Sequence, residues 1–119
     1  MKTIFLTFLL FFGTVALFNA QNSKTPTTEQ KRIINPLIDD GFTQWSKNWS
    51  YDKYVSRSTK ITSISEDEDY GDIEASGYFT YKRLYTTFEG TFTAKINSSG
   101  RLVSITYIDA GGLRGSRTF

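Results

Sequence analysis

The residue types that carry most enzyme chemistry are scarce in this chain. It contains no His and no Cys among its 119 residues. This excludes thiol nucleophiles, Ser-His triads, imidazole bases and typical zinc sites. No glycine-rich phosphate loop is present either. The sequence therefore indicates no cofactor and no metal site, and it favours a function other than catalysis.

A pair of carboxylates in a pocket is the main catalytic device that remains. Asp39 and Asp40 are the nearest candidates, and they stand just before Gly41. Adjacent residues of a helix point about 100 degrees apart, so both carboxylates do not face one pocket. We interpret the pair as part of a polar helix face that ends at a glycine.

The stretch SEDEDYGD, residues 65–72, places five acidic side chains in eight residues. Asp67, Asp69 and Gly71 resemble the start of an EF-hand loop, in which oxygen ligands alternate along the chain. The sixth place of such a loop requires glycine, and Asp72 stands there instead. We therefore predict a solvated turn between two strands, with Gly71 as its turn residue.

The first twenty residues have the pattern of a secretory signal peptide. Lys2 precedes a largely apolar run over residues 4–18, and Ala20 ends the segment. The run is shorter than the ~20 residues that span a bilayer, so we predict cleavage after Ala20 and no membrane span after removal. Residues 21–27 then form a flexible lead-in, and residues 28–119 form a single domain, secreted or periplasmic.

Charge gives little support for a nucleic-acid partner. The chain has fourteen basic and twelve acidic residues, and removal of Lys2 with the signal leaves a net charge of +1. Recognition of nucleic acid requires a clearly basic face. We therefore expect no nucleic-acid partner.

One helix is predicted over residues 28–47. Thr27 and Gln30 have the spacing of a capping box at its start. Pro36 and Gly41 interrupt the segment, so its continuity before Pro36 is open. Apolar residues at steps of three and four share one helical face: Ile34, Leu37, Ile38, Phe42 and Trp45.

Four strands are predicted after the helix, over residues 54–64, 72–83, 85–96 and 102–108. The first alternates only loosely, whereas the second and third separate apolar from polar residues. The apolar face of these two contains Ile73, Ala75, Gly77, Phe79, Tyr81, Phe88, Gly90, Phe92, Ala94 and Ile96. In the last strand Val103, Ile105 and Tyr107 share one side. Residues 113–119 have no clear period.

These elements predict an α+β fold in which the N-terminal helix packs on a four-stranded antiparallel β-meander. Short links between consecutive strands require antiparallel neighbours, and the helix must cover the apolar face of the sheet. A helix followed by a curved meander resembles the cystatin-like folds, including the nuclear-transport-factor-like group. The likeness is one of topology and spans residues 28–108.

The resemblance implies no activity for this chain. Enzymes of the nuclear-transport-factor-like group often use His and Asp within the cone of the sheet, and no His is present here. Cystatins inhibit cysteine proteases through an N-terminal Gly, a Gln-x-Val-x-Gly hairpin and a Pro-Trp turn, none of which is present. Neither function is carried over.

The leading functional hypothesis is a small exported binding or accessory domain that is not an enzyme. Its protein or glycan partner would contact an aromatic segment with Trp49, Tyr51 and Tyr54, or the polar sheet face with Tyr78 and Lys82.

Two alternatives stay open from the sequence. One is a small-ligand carrier or an enzyme with a pocket between helix and sheet, lined by Phe42, Phe79, Phe88, Phe92 and Tyr107. The other is a structural protein of the cell envelope that assembles into oligomers through its edge strands. The exposed last strand can accept the chain's own tail or another chain as an added strand.

Overall fold

The computed structural model describes residues 23–67 and 69–119, which form one helix and seven strands. The helix is α1 (Thr28–Ser46). The strands are β1 (Ser23–Lys24), β2 (Asp52–Tyr54), β3 (Lys60–Glu66), β4 (Ile73–Arg83), β5 (Thr86–Ile96), β6 (Leu102–Ile108) and β7 (Arg114–Thr118). The predicted signal peptide, residues 1–20, lies outside the described residues. In the described part of the chain no helix is long and apolar enough to cross a membrane.

Helix α1 runs without a break through Pro36. The predicted capping box is confirmed, because Thr27 Oγ1 accepts from the Gln30 amide and Gln30 Oε1 accepts from the Thr27 amide. A proline inside a helix costs about 3 kcal/mol. Burial of each large apolar side chain of the helix contributes roughly 1.5 to 3 kcal/mol. Four such side chains are buried, so packing outweighs the proline: Ile34, Ile38, Phe42 and Trp45.

All seven described strands belong to one antiparallel sheet with the order β1-β3-β4-β5-β6-β7, and β2 pairs with β4 beside β3. The α+β class and the packing of one helix on an antiparallel sheet are confirmed, but the prediction of four strands is wrong. The strand predicted over 54–64 is divided into β2 and β3, because Arg57 between them has a left-handed φ of 62°. The tail forms β7, and Ser23 and Lys24 form β1 within the segment predicted as a flexible lead-in.

The predicted alternation of β4 and β5 is confirmed. The two strands pair along their whole length, from Ile73 opposite Ile96 to Arg83 opposite Thr86. Their apolar residues form the inner face of the sheet, which α1 covers. Phe79, Phe92 and Ala94 on this face are almost completely buried.

Strand β6 departs from the prediction at its start. The register shifts between Lys95 and Ile96, so that Ile96 lies opposite Leu102 and Lys95 lies opposite Ser104. Val103 is thus the extra residue of a β-bulge. The bulge changes the face to which Leu102 points, relative to the regular alternation of the strand. Leu102 therefore packs on the core in place of the predicted Val103.

The acidic stretch is a turn between β3 and β4, as predicted. The Asp67 amide donates to the Asp72 carbonyl (2.8 Å), and Gly71 has a φ of +75°. The Asp67 carboxylate accepts from the Asp69 amide at 2.9 Å. The turn is closed by the chain's own backbone and by one of its carboxylates.

Candidate partner-binding surface

The face of the sheet opposite α1, called the outer face below, carries polar side chains. No described element covers it, and most of its residues are exposed. Its members alternate with the buried residues of β4 and β5 and continue onto neighbouring strands. They include Lys60, Glu74, Ser76, Tyr78, Thr80, Lys82, Thr87, Glu89, Thr91, Thr93, Lys95, Thr106 and Ser116.

Tyr78 lies near the middle of the outer face and is 42% exposed. It stands between Lys60 on β3 and Thr91 on β5. Lys82 is on the same face four residues along β4, roughly 13 Å away at about 3.3 Å per residue. Two of the predicted partner-binding residues therefore lie on one open surface, with a ring at its centre and an ammonium group towards one end.

Lys82 lies directly opposite Lys53 of β2. Like charges that face each other across two strands destabilise the pairing. Neither lysine forms a salt bridge with any residue that the structure describes. The neighbouring pair is balanced, because Arg83 Nε donates to Asp52 Oδ1 at 2.7 Å. The Lys53–Lys82 pair is thus a local excess of positive charge.

Three residues form a group that we call the hairpin tip. Leu84 and Tyr85 connect β4 to β5, and Tyr51 directly precedes β2. Asp52 is opposite Arg83, so Tyr51 and Leu84 are the next residues beyond this pair at the same end of the sheet. The exposed fractions are 83% for Tyr51, 85% for Leu84 and 99% for Tyr85. Sequence reasoning identified Tyr51 and missed the other two. One sequence signal could have identified Leu84 and Tyr85. They form a two-residue connection between strands, and such connections usually contain Gly or Asn.

Trp49 and Tyr54 do not join Tyr51 at the surface. The Trp49 ring packs edge-on against Tyr107 (5.6 Å between centroids) and against Trp45 (5.8 Å). The Tyr54 ring stacks on Phe42 at 5.0 Å. The predicted aromatic segment is therefore split, with Trp49 and Tyr54 packed on the core and Tyr51 exposed.

Asp39 fixes Tyr54 and the turn that follows it. Its Oδ1 atom accepts from Tyr54 Oη and from the Arg57 amide, both at 2.6 Å. Burial, together with the hydrogen bond to Asp39, raises the pKa of Tyr54 to about 12. Asp40 is exposed on another side of α1. The two carboxylates therefore diverge, as the helical geometry predicts, and Asp39 serves as an acceptor that joins α1 to the chain between β2 and β3.

The five residues predicted to line a pocket lie between helix and sheet or at its border. Phe42 stacks on Phe79 at 4.5 Å and meets Phe92 edge-on at 5.8 Å. Tyr107 meets Phe79 at 5.5 Å, and Phe88 stacks on Tyr81 at 5.5 Å. These are the spacings of packed aromatic pairs. A ligand pocket lined by the five residues stays a prediction.

A cleft of about 460 Å³ lies at the opposite end of the sheet from the hairpin tip. Within residues 23–67 and 69–119, no group of three or more acidic side chains is arranged to hold a metal ion. Asp72 in this cleft accepts a hydrogen bond from the Ser98 amide at 3.1 Å. The cleft is mainly acidic and is lined by Ser65, Glu66, Asp67, Asp72, Ile73, Glu74 and Lys95.

Comparison with known proteins finds no matching family model, no similar curated protein and no similar solved structure.

Proposed function

We propose that this chain is a small exported binding domain without catalytic activity, and that its protein or glycan partner contacts the outer face of the sheet. Export rests on the signal peptide predicted for residues 1–20. The observation that carries the binding role is the open outer face, with the half-exposed ring of Tyr78 at its centre.

The chemistry of the outer face suits a polymer with hydroxyl and acidic groups. An exposed tyrosine ring offers an apolar surface for stacking and a phenol for hydrogen bonding. Threonine hydroxyls surround it, since Thr91 is the β5 partner of Tyr78 and Thr93 follows two residues later. Lys60 and Lys82 add positive charge on either side. Interfaces of this kind draw most of their affinity from one or two aromatic anchors.

The absence of His and Cys from the sequence supports a role without catalysis. The carboxylate best placed to act as a base is Asp39, and its Oδ1 atom already accepts two hydrogen bonds.

We also propose that the fold is cystatin-like or nuclear-transport-factor-like. A helix that packs across consecutive antiparallel strands supports it. Such a scaffold leaves one sheet face free, which is the surface that the proposed function requires.

The test compares the wild-type chain with Tyr78→Ala on a glycan array and in pull-down experiments. Tyr70→Ala is the matched control, because Tyr70 is also an exposed tyrosine (73%) but lies in the β3–β4 turn. We expect Tyr78→Ala to weaken binding about tenfold or more, the usual loss at an aromatic anchor. Equal binding by wild type and Tyr78→Ala to every captured partner would remove the outer face as the binding surface.

A further inference from the structure

We infer that the hairpin tip (Tyr51, Leu84 and Tyr85), with Lys53 and Lys82 behind it, docks the protein on an anionic lipid surface. This inference goes beyond the proposed function and does not rest on it. The outer face is mainly polar, whereas the hairpin tip exposes a leucine and two tyrosines at one end of the two longest described strands.

The hairpin tip projects from the end of the two longest described strands, which have eleven residues each. Leu84 and Tyr85 together form their connection, and Tyr85 is 99% exposed. A small ligand requires a concave site, and a leucine offers no ring on which a sugar can stack. An aliphatic side chain flanked by tyrosines fits the boundary between lipid headgroups and acyl chains, where tyrosine is enriched.

Leu84 is held in a backbone conformation that costs stability. Its φ is +57°, a region that residues other than Gly, Asn and Asp rarely adopt. Glycine or asparagine is the usual residue of a two-residue hairpin connection. Strained residues of this kind concentrate at sites where they have a function. Leucine is unfavourable at this position both for its backbone conformation and for its exposure to water. Its presence is consistent with a contact between Leu84 and another molecule.

The charge behind the tip has the sign that anionic headgroups attract. Lys53 and Lys82 lie opposite each other across β2 and β4, and neither has a carboxylate within salt-bridge distance in the described residues. Phosphate groups between them would relieve their repulsion. Lysine stems can extend along the strands towards the tip while the ammonium groups stay among the headgroups.

The acidic groups near the tip are mostly engaged. Asp52 pairs with Arg83, and Asp109 accepts from the amides of Gly111 and Leu113 at 2.9 Å each. Glu89 forms no salt bridge within the described residues, and it lies two residue pairs further from the tip than Lys82, opposite Thr80.

The distribution of charge along the sheet orients the molecule. Five acidic residues that the structure describes lie at the opposite end of β4 from the tip, namely Glu66, Asp67, Asp69, Asp72 and Glu74. Strand β4 has eleven residues, which corresponds to about 33 Å at ~3.3 Å per residue. An anionic surface therefore repels one end of the molecule and attracts the end that carries the exposed apolar residues.

The test is co-sedimentation of the protein with phosphatidylcholine vesicles and with vesicles that also contain phosphatidylglycerol, at low ionic strength. The tip variant is the double substitution Leu84→Asn and Tyr85→Ser. Asparagine tolerates a positive φ, so this variant keeps the hairpin, which the urea midpoint verifies. The matched control is Tyr70→Ser with Ile33→Asn, two exposed apolar residues in the β3–β4 turn and on α1. All proteins carry the same N-terminus, so any contribution of residues 1–20 cancels.

We expect the wild type and the control to partition to the anionic vesicles, and the tip variant to lose about tenfold in its partition coefficient. Lys53→Gln with Lys82→Gln should remove the preference for phosphatidylglycerol, and added salt should do the same. The inference is overturned by equal partition of wild type and tip variant. It is also overturned if the tip variant abolishes only self-association or only binding to a soluble glycan. Tyr78→Ala should bind vesicles as the wild type does, so failure of the proposed function leaves this result unchanged.

Discussion

At the scale of single residues, Asp39 joins α1 to the end of β2 and to the turn that follows it by two hydrogen bonds. Its Oδ1 atom accepts from Tyr54 Oη and from the Arg57 amide. Asp39→Ala leaves both donors without this partner. We expect the free energy of unfolding in urea to fall by about 1 to 2 kcal/mol.

Two controls separate the hydrogen bonds of Asp39 from its charge. Asp39→Asn keeps an oxygen acceptor and should lose less than Asp39→Ala. Asp40→Ala, at the adjacent exposed position, should change the free energy of unfolding by no more than about 0.5 kcal/mol. A loss of equal size in Asp39→Ala and Asp40→Ala would contradict the role assigned to Asp39.

Tyr54 makes the stability of the fold sensitive to alkaline pH. Burial, aided by Asp39, raises its pKa from 10.0 to about 12 in the folded protein. The folded state therefore holds its proton more tightly than the unfolded state does. The resulting stabilisation is complete below pH 10 and is lost as the pH rises towards 12.

The measurement is urea unfolding at several pH values across this window, in the wild type and in Tyr54→Phe. Burial also raises the pKa of Tyr107, so part of the alkaline loss remains in both proteins. Tyr54→Phe should have a shallower decline than the wild type. Parallel curves for the two proteins would show that Tyr54 titrates normally.

At the scale of elements, the approach of β3 to β4 depends on Gly77. A Cβ atom at this position would overlap the Lys60 carbonyl oxygen and lie 2.9 Å from Ile61 Cα. Backbone atoms cannot turn aside as a side chain can, so β3 would have to move away from β4. We expect Gly77→Ala to lower the free energy of unfolding by at least ~2 kcal/mol, measured by urea denaturation.

Gly111→Ala is the control for this substitution. Its nearest neighbour would be Asp109 Oδ1 at 3.5 Å, an ordinary contact, and its φ is not in the left-handed region. It should therefore unfold at nearly the wild-type urea concentration. If Gly77→Ala does so as well, β3 and β4 are not as close as described.

Strand β7 shows how an element without its own pattern is formed by its neighbour. Residues 114–118 have no apolar alternation, yet they pair with β6 from Arg114 opposite Ile108 to Thr118 opposite Ser104. The Phe119 amide donates to the Val103 carbonyl at 2.8 Å. The tail thus occupies the edge of β6, which would otherwise present unpaired amides and carbonyls. The expectation that this edge can accept the tail is confirmed.

At the scale of the whole molecule, β4 and β5 are the centre of the fold. They pair with each other along their whole length, and each has a further neighbour on its other side. Native-state hydrogen exchange should therefore be slowest in their central amides, which open only with global unfolding. The amides of β1 and β7, at the two edges, should exchange about a hundredfold faster or more. Protection in β7 equal to that in β4 would contradict this hierarchy.

The sequence by itself determined the elements whose pattern is local. The start of α1, the pairing of β4 with β5 and the acidic turn were each predictable, because capping, alternation and turn chemistry depend on residues only a few positions apart. Tyr51, Tyr78 and Lys82 are exposed, and their role in partner binding stays a prediction.

Only the tertiary structure decided the rest. It placed Trp49 and Tyr54 against the core, divided residues 54–64 at Arg57, and brought Leu84 and Tyr85 into one tip with Tyr51. It also shifted the register of β6, so that Leu102 and not Val103 faces the helix. These outcomes depend on register and burial between segments that are far apart in the chain. A local pattern carries no information on such partners, because the side to which a residue points is fixed only when its neighbouring strand is in place.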